Sequence, residues 1–241
     1  MSPNLARKER ERAAREELIL NHARRMLLSE GYQNLNLDSL AKSIEYSKGT
    51  IYLHFATKED LALAVATQAL RERAELFERA IKFAGRTRER VRAIGCACCQ
   101  FAIAHPDFFH VELMLKSVSF WEKASEERRH MHSIQSSRVF RAVSGVIQEA
   151  LSNGDLPSRY RPEEISFSLV AVTIGSHIAG VQHDIQTMCA VEDAIAASRT
   201  NQDIVCDGLG WKPLSNDFDY AATDQRIRTE IFPEATWIKP R

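Results

Sequence analysis

Two short apolar-striped segments joined by a tight turn constrain this chain more than anything else in it. Leu37, Leu40, Ala41 and Ile44 recur at helical spacing, and Asn36 before them is a residue type that caps a helix N-terminus. After Glu45 and Tyr46, Ser47 can cap a second short helix to about Phe55, in which Ile51 and Phe55 lie four apart. Helices this short are not stable alone and must pack on a longer neighbour and on each other. The preceding stretch supplies one, with Ile19, Ala23, Met26 and Leu27 on one face and Gly31 as its stop. The expectation is a three-helix unit that leaves one short helix exposed.

The rest of the chain also reads as helix, because runs with a strand-like period of two are missing. Thr57 and Asp60 resemble a capping box opening a long helix to about Phe83. Further helices are expected from Arg88 to Ala104, Asp107 to Phe120, Trp121 to Ser152, Pro162 to about Gln186, and Val191 to Leu209. Asn4 to Glu17 is too charged to pack, so a frayed arm or a solvated helix extension is expected there. From Trp211 the prolines predict an irregular arm, and its Phe218, Tyr220, Ile231, Phe232 and Trp237 suggest that it lies against a helical surface.

The fold class is therefore all-α, an N-terminal three-helix helix-turn-helix domain followed by a larger helical domain. The expected divisions are a flexible arm over 1–14, the helix-turn-helix over 15–61, the larger domain over 62–210 and the C-terminal arm over 211–241. With 241 residues, 44% of them hydrophobic and 27% charged, a sizeable core is within reach. A net charge of zero argues against a protein that coats nucleic acid by bulk charge, but leaves room for a local basic surface. The polar N-terminus and the lack of a long apolar run predict neither a signal peptide nor a membrane span, and hence a cytoplasmic protein. Five cysteines, with Cys96, Cys98 and Cys99 crowded together, do not form a disulfide framework or a paired metal-ligand set. No phosphate loop, zinc-protease motif or nucleophile elbow is present, so neither an enzyme nor a cofactor is expected.

The exposed short helix is poorly composed for folding alone. Lys48 falls in its first turn, where the helix dipole disfavours a cation, and Gly49 costs roughly 1 kcal/mol relative to Ala. Both choices suit a helix whose N-terminus enters the DNA major groove, with Lys48 donating to a guanine edge or a phosphate and Gly49 admitting close approach. Thr50, Tyr52 and His54 carry donors for phosphate oxygens, and Leu53 can meet a thymine methyl. Lys58 opens the next helix, where an ammonium and a helix N-terminus suit a phosphate together.

Glu17 to Leu63, and SKGTIYLHF followed by TKEDL above all, resembles the DNA-binding domain of the TetR/AcrR family of transcriptional regulators. The resemblance implies that Lys48, Gly49, Tyr52 and Leu53 face bases, and that Asn36, Thr50, His54 and Lys58 hold the DNA backbone. Where the family often has Gly-Val at the turn, this chain has Glu45-Tyr46. Glu45 is then expected in a left-handed conformation at a cost of about 1 kcal/mol, and Tyr46, beside Ser47, could reach the backbone.

For the larger domain the resemblance implies a homodimer and a small-molecule pocket. Ile165, Leu169, Val172, Gly175, Ala179, Ile195, Val205 and Leu209 are candidates for the dimer face, although the same residues could form an intramolecular core. Phe101, Phe109, His110, Leu113, Trp121, Phe140 and His177 are candidates for a pocket that takes a hydrophobic or aromatic effector. The expected function is a repressor on palindromic double-stranded operator DNA, released when the effector binds. The alternatives are a helical protein-interaction module, or a regulator without an effector.

Overall fold

The computed structural model describes residues 3–105 and 118–235. These are helical, with no strand among them. In chain order the helices are α1 (Pro3–Asn34), α2 (Leu37–Ser43), α3 (Lys48–Tyr52), α4 (Lys58–Ala80), α5 (Thr87–Ala104), α6 (Val118–Lys123), α7 (Glu126–Ser152), α8 (Pro162–Ala179), α9 (His183–Met188), α10 (Ala194–Leu209) and α11 (Tyr220–Arg226). The all-α expectation holds. The chain packs as two units, one from residues 1–71 and 107–135, the other from 72–106 and 136–241.

In the first unit, Ile19, Ala23 and Leu27 of α1, Leu37, Leu40 and Ala41 of α2, and Ile51 and Phe55 around α3 are all buried. Burying each of the leucines, isoleucines and Phe55 stabilises by roughly 1.5–3 kcal/mol, which helices of five and seven residues cannot obtain from their own hydrogen bonds. Residues 3–14 are the exposed first turns of α1, the solvated helix extension rather than the flexible arm of the two expected alternatives, rich in Ala, Arg and Glu and carrying an Arg7–Glu11 ion pair at 3.4 Å. Gly31, with φ 77, breaks the helical geometry of α1 near its end.

The capping box at Thr57 is half made. Thr57 Oγ1 accepts from the Asp60 N–H at 3.0 Å, but the Asp60 carboxylate accepts from the Ser125 N–H at 2.7 Å. That bond accompanies a break in the helix expected from Trp121 to Ser152, which parts into α6 and α7 at Ala124 and Ser125.

In the second unit, α8 and α10 pack along each other and α5 lies against α10. The helix expected to reach Gln186 ends at Ala179, beside Gly180, where a Cβ would stand 2.8 Å from the Ala194 Cβ. Asp193 caps α10 by accepting from the N–H groups of Ile195 and Ala196 at 2.9 and 3.0 Å.

The segment after Trp211 is more regular than expected. It contains α11 and a π-helical turn, Ile227–Ile231, and buries Trp211, Tyr220, Ile227 and Phe232. Arg88, 1% exposed, donates to Asp207 at 2.5 Å and to the carbonyls of Trp211 and Pro213 at 2.8 and 2.6 Å. Arg92 bridges Asp203 and Asp224. These bonds make the segment part of the second unit's core.

Candidate nucleic-acid interface

Local capping sets the α2–α3 turn. Asn36 Oδ1 accepts from the N–H groups of Asp38 and Ser39 at 2.8 and 3.3 Å and starts α2. At its end Glu45 adopts φ 57, the left-handed conformation that the missing glycine implied. The Glu45 and Tyr46 N–H groups then bond to the Lys42 and Ala41 carbonyls at 3.3 and 2.9 Å, closing the helix end in the Schellman pattern. Ser47 Oγ accepts from the Thr50 N–H at 3.1 Å and starts α3. The Ser47 and Thr50 hydroxyls also bond to each other at 2.8 Å. That bond consumes one hydroxyl proton of the two and leaves the other for an outside acceptor.

Ile51 and Phe55 are fully buried and anchor α3. The opposite face meets solvent: Leu53 is 81% and Tyr52 50% exposed, Lys48 and Gly49 are exposed, and Thr50 and Tyr46 are half-buried. An exposed leucine beside an exposed tyrosine gives α3 no folding advantage and suits contact with another surface. A Cβ on Gly49 would come no nearer to any atom than 3.8 Å from Ser47 Oγ, so the fold itself does not require glycine there.

Two contacts here were not readable from sequence. Lys48 Nζ pairs with Asp38 Oδ2 of α2 at 2.5 Å, and that hydrogen bond raises the lysine's pKa. Lys58, at the start of α4, stands over the Tyr32 ring at 4.6 Å, and the Tyr32 hydroxyl donates to Glu59 at 2.8 Å. Burial foremost, then that bond, pushes the phenol up. Neither Asp38 nor Tyr32 carries a sequence signal, because each is defined by a partner on another element.

His54 departs from expectation. Its side chain is 4% exposed and turned inward, with Nδ1 3.5 Å from Glu16 Oε2, so the imidazole does not face solvent as a phosphate donor. Asn36, Ser47, Lys48, Gly49, Tyr52 and Leu53 are exposed, and Thr50 and Lys58 are half-buried.

The residues expected to line a pocket are not gathered. Phe109, His110 and Leu113 lie outside the described residues. Phe101 is buried, Phe140 is 53% exposed, and Trp121 belongs to the first unit, edge-on to His132 at 5.2 Å. Among the described candidates only His177 lines a cleft of about 720 Å³ in the second unit, together with Ala102, Ile103, Val181, Gln186, Glu192, Asp193 and Ile195, none of which was expected there. Burial lowers the His177 pKa, against a bond between Nδ1 and the Thr173 carbonyl at 2.8 Å.

The expected dimer face needs a similar correction. Ile165, Leu169 and Leu209 are buried within the protomer, while Val172, Ala179, Ile195 and Val205 are half-buried and Gly175 is exposed. The exposed large apolar residues of α8 and α10 are Phe167, Val170 and Ile204, at 75, 44 and 63% exposure.

Cys96, Cys98, Cys99 and Cys206 are buried, and burial pushes the thiols of Cys96, Cys99 and Cys206 up to about 12, so they pack as small apolar side chains. No helix among the described residues is long and apolar enough to cross a membrane.

Residues 19–65 match the family of bacterial regulatory proteins described as the tetR family. No curated protein matches the chain. Among solved structures, the TetR-family transcriptional regulator PfmR from Thermus thermophilus is similar at a TM-score of 0.61 and 19% identity, over 79% of this chain and 98% of that one. The transcriptional regulator FadR from Bacillus subtilis, in complex with stearoyl-CoA, is similar at 0.60 and 18%, over 79 and 97%. A transcriptional regulator from Saccharomonospora viridis, in complex with choline, is similar at 0.60 and 17%, over 81 and 96%. Residues 19–65 are thus similar to the tetR family of bacterial regulatory proteins, and the helical fold is similar to that of solved TetR-family transcriptional regulators.

Proposed function

We propose that this chain is a homodimeric repressor that reads palindromic operator DNA through α3 and leaves it when a small molecule binds the second unit. The exposed face of α3 carries this reading: Lys48, Gly49, Tyr52 and Leu53 project from a helix that Ile51 and Phe55 fix from behind. Lys48 and Tyr52 donate to base edges or phosphates, Leu53 meets a thymine methyl, and Gly49 lets the backbone approach. Asn36, Tyr46, Ser47, Thr50 and Lys58 hold the DNA backbone on either side.

One such helix reads only a half-site, so specific affinity calls for two copies. Phe167, Val170 and Ile204 are exposed apolar residues of α8 and α10 that a second copy of the chain would cover. The cleft beside His177 is large enough for a small ligand, and Ala102, Ile103, Val181 and Ile195 in its lining suit the apolar part of one, while Gln186, Glu192 and Asp193 offer polar contacts. Two regulators of similar fold were solved with ligands, stearoyl-CoA and choline.

Fluorescence anisotropy against the duplex upstream of the chain's own gene, across a salt series and a metabolite panel, tests this reading. Selective binding that falls steeply with salt, is lost in Lys48→Ala with Tyr52→Phe, and is weakened by one metabolite supports it. Equal affinity for unrelated DNA would contradict operator reading, and equal affinity with every metabolite would contradict effector release.

A further inference from the structure

Arg128, in the first turn of α7, does more than fill space. Its guanidinium lies 4.6 Å from the centre of the Phe55 ring. Nη2 donates to the His54 carbonyl at 3.0 Å, and Nη1 donates to Glu16 Oε1 of α1 at 2.8 Å. The side chain is 13% exposed. The other Glu16 oxygen is the one facing the buried His54 ring.

These contacts fall where the chain leaves α3. The His54 and Phe55 N–H groups both bond back to the Ile51 carbonyl at 2.9 Å, so the two residues continue the last turn of the helix. A helix of five residues has too few internal bonds to fix its own direction, and outside contacts must do so. A guanidinium donating near a helix C-terminus also meets the negative end of the dipole. Only arginine can stack on a ring and present a rigid fork to a carbonyl and a carboxylate at once.

We infer that Arg128 is the positioning residue of the DNA-reading helix. It holds the exit of α3 through His54 and Phe55, and thereby sets the angle at which Lys48 to Leu53 meet the bases. The inference rests on the operator reading above. Contacts to phosphate tolerate a small rotation of α3, whereas contacts to base edges do not. Removing Arg128 therefore lowers selective binding while sparing non-selective binding.

The test uses the full chain, a duplex enriched by the wild-type protein from a random-sequence pool, and an unrelated duplex of equal length. Thermal melts establish that each variant folds. Arg128→Ala is expected to bind the enriched duplex about tenfold more weakly, with unchanged affinity for the unrelated duplex and an unchanged salt slope. Arg128→Lys, which keeps the charge but not the fork, should fall between. A folded Arg128→Ala with the wild-type ratio of the two affinities overturns the inference, as does an equal fall on both duplexes. Should Arg128→Ala not fold, Arg128→Lys decides: a lowered ratio supports the inference and an unchanged ratio overturns it. Lys48→Ala separates the two levels, since wild-type selectivity lost in that variant upholds the operator reading whatever Arg128 does. A wild-type protein that enriches no duplex overturns both.

Discussion

Gly49 is the residue at which folding and function pull apart most clearly. Its surroundings admit a Cβ, and glycine inside a helix is roughly 0.5–1 kcal/mol worse than alanine. Gly49→Ala is therefore expected to raise the stability read by urea titration by about that amount, while weakening operator binding as the methyl group meets the groove. A destabilised variant would show that the glycine serves the fold. Asp38 is a second such residue, because its carboxylate holds Lys48 and would lie near the phosphates. Asp38→Asn removes that repulsion, so affinity for unrelated DNA should rise several-fold and selectivity should fall, as read by competition binding. The caps at Asn36 and Ser47 were legible in sequence because each acts on its own next turn. His54 was misjudged because its surroundings come from Glu16 and from Arg128, 74 residues further on.

Among the elements, α8 shows where pattern reading stops. Its apolar residues run nearly all round, so spacing alone cannot separate the face that meets α10 from the face that meets solvent. Spacing therefore puts Leu169 forward for a partner and passes over Phe167, although Leu169 is buried and Phe167 exposed. The C-terminal segment was hidden for a related reason: its prolines suggested irregularity, while its attachment depends on Arg88, far back on α5. Arg88→Met strips the Trp211 and Pro213 carbonyls of their donor and leaves Asp207 without its guanidinium, and should cost about 3–5 kcal/mol in a urea titration. A loss below about 1 kcal/mol, the scale of an exposed ion pair, would contradict the anchoring role. Burial pushes the Asp207 carboxyl up, but bonds from Ser215 and Arg88 outweigh it and leave the pKa below the usual value. The unfolded chain then takes up the proton first. The stabilisation from Asp207 is complete above about pH 4 and is lost as the pH falls through the native value below it. Arg88→Met should flatten that acid limb.

For the whole molecule, the fold class was legible because the segments between Ile19 and Leu209 repeat at helical spacing, and the resemblance to the tetR family because the motif is local. The pocket and the dimer face were not, since both depend on which of several apolar faces the packing leaves open. The exposure of Phe167, Val170 and Ile204 predicts that Phe167→Asp shifts sedimentation from dimer towards folded monomer and weakens operator binding with it. A Phe167→Asp protein that still sediments as the wild type would place the interface elsewhere. The central claim, that two copies of α3 read successive major grooves, is tested most directly by hydroxyl-radical footprinting on an enriched duplex. The account predicts two protected patches on one face of the DNA, with half-site centres roughly 34–36 Å apart, both absent with Lys48→Ala and Tyr52→Phe. A single patch, or two that persist in that variant, would contradict it.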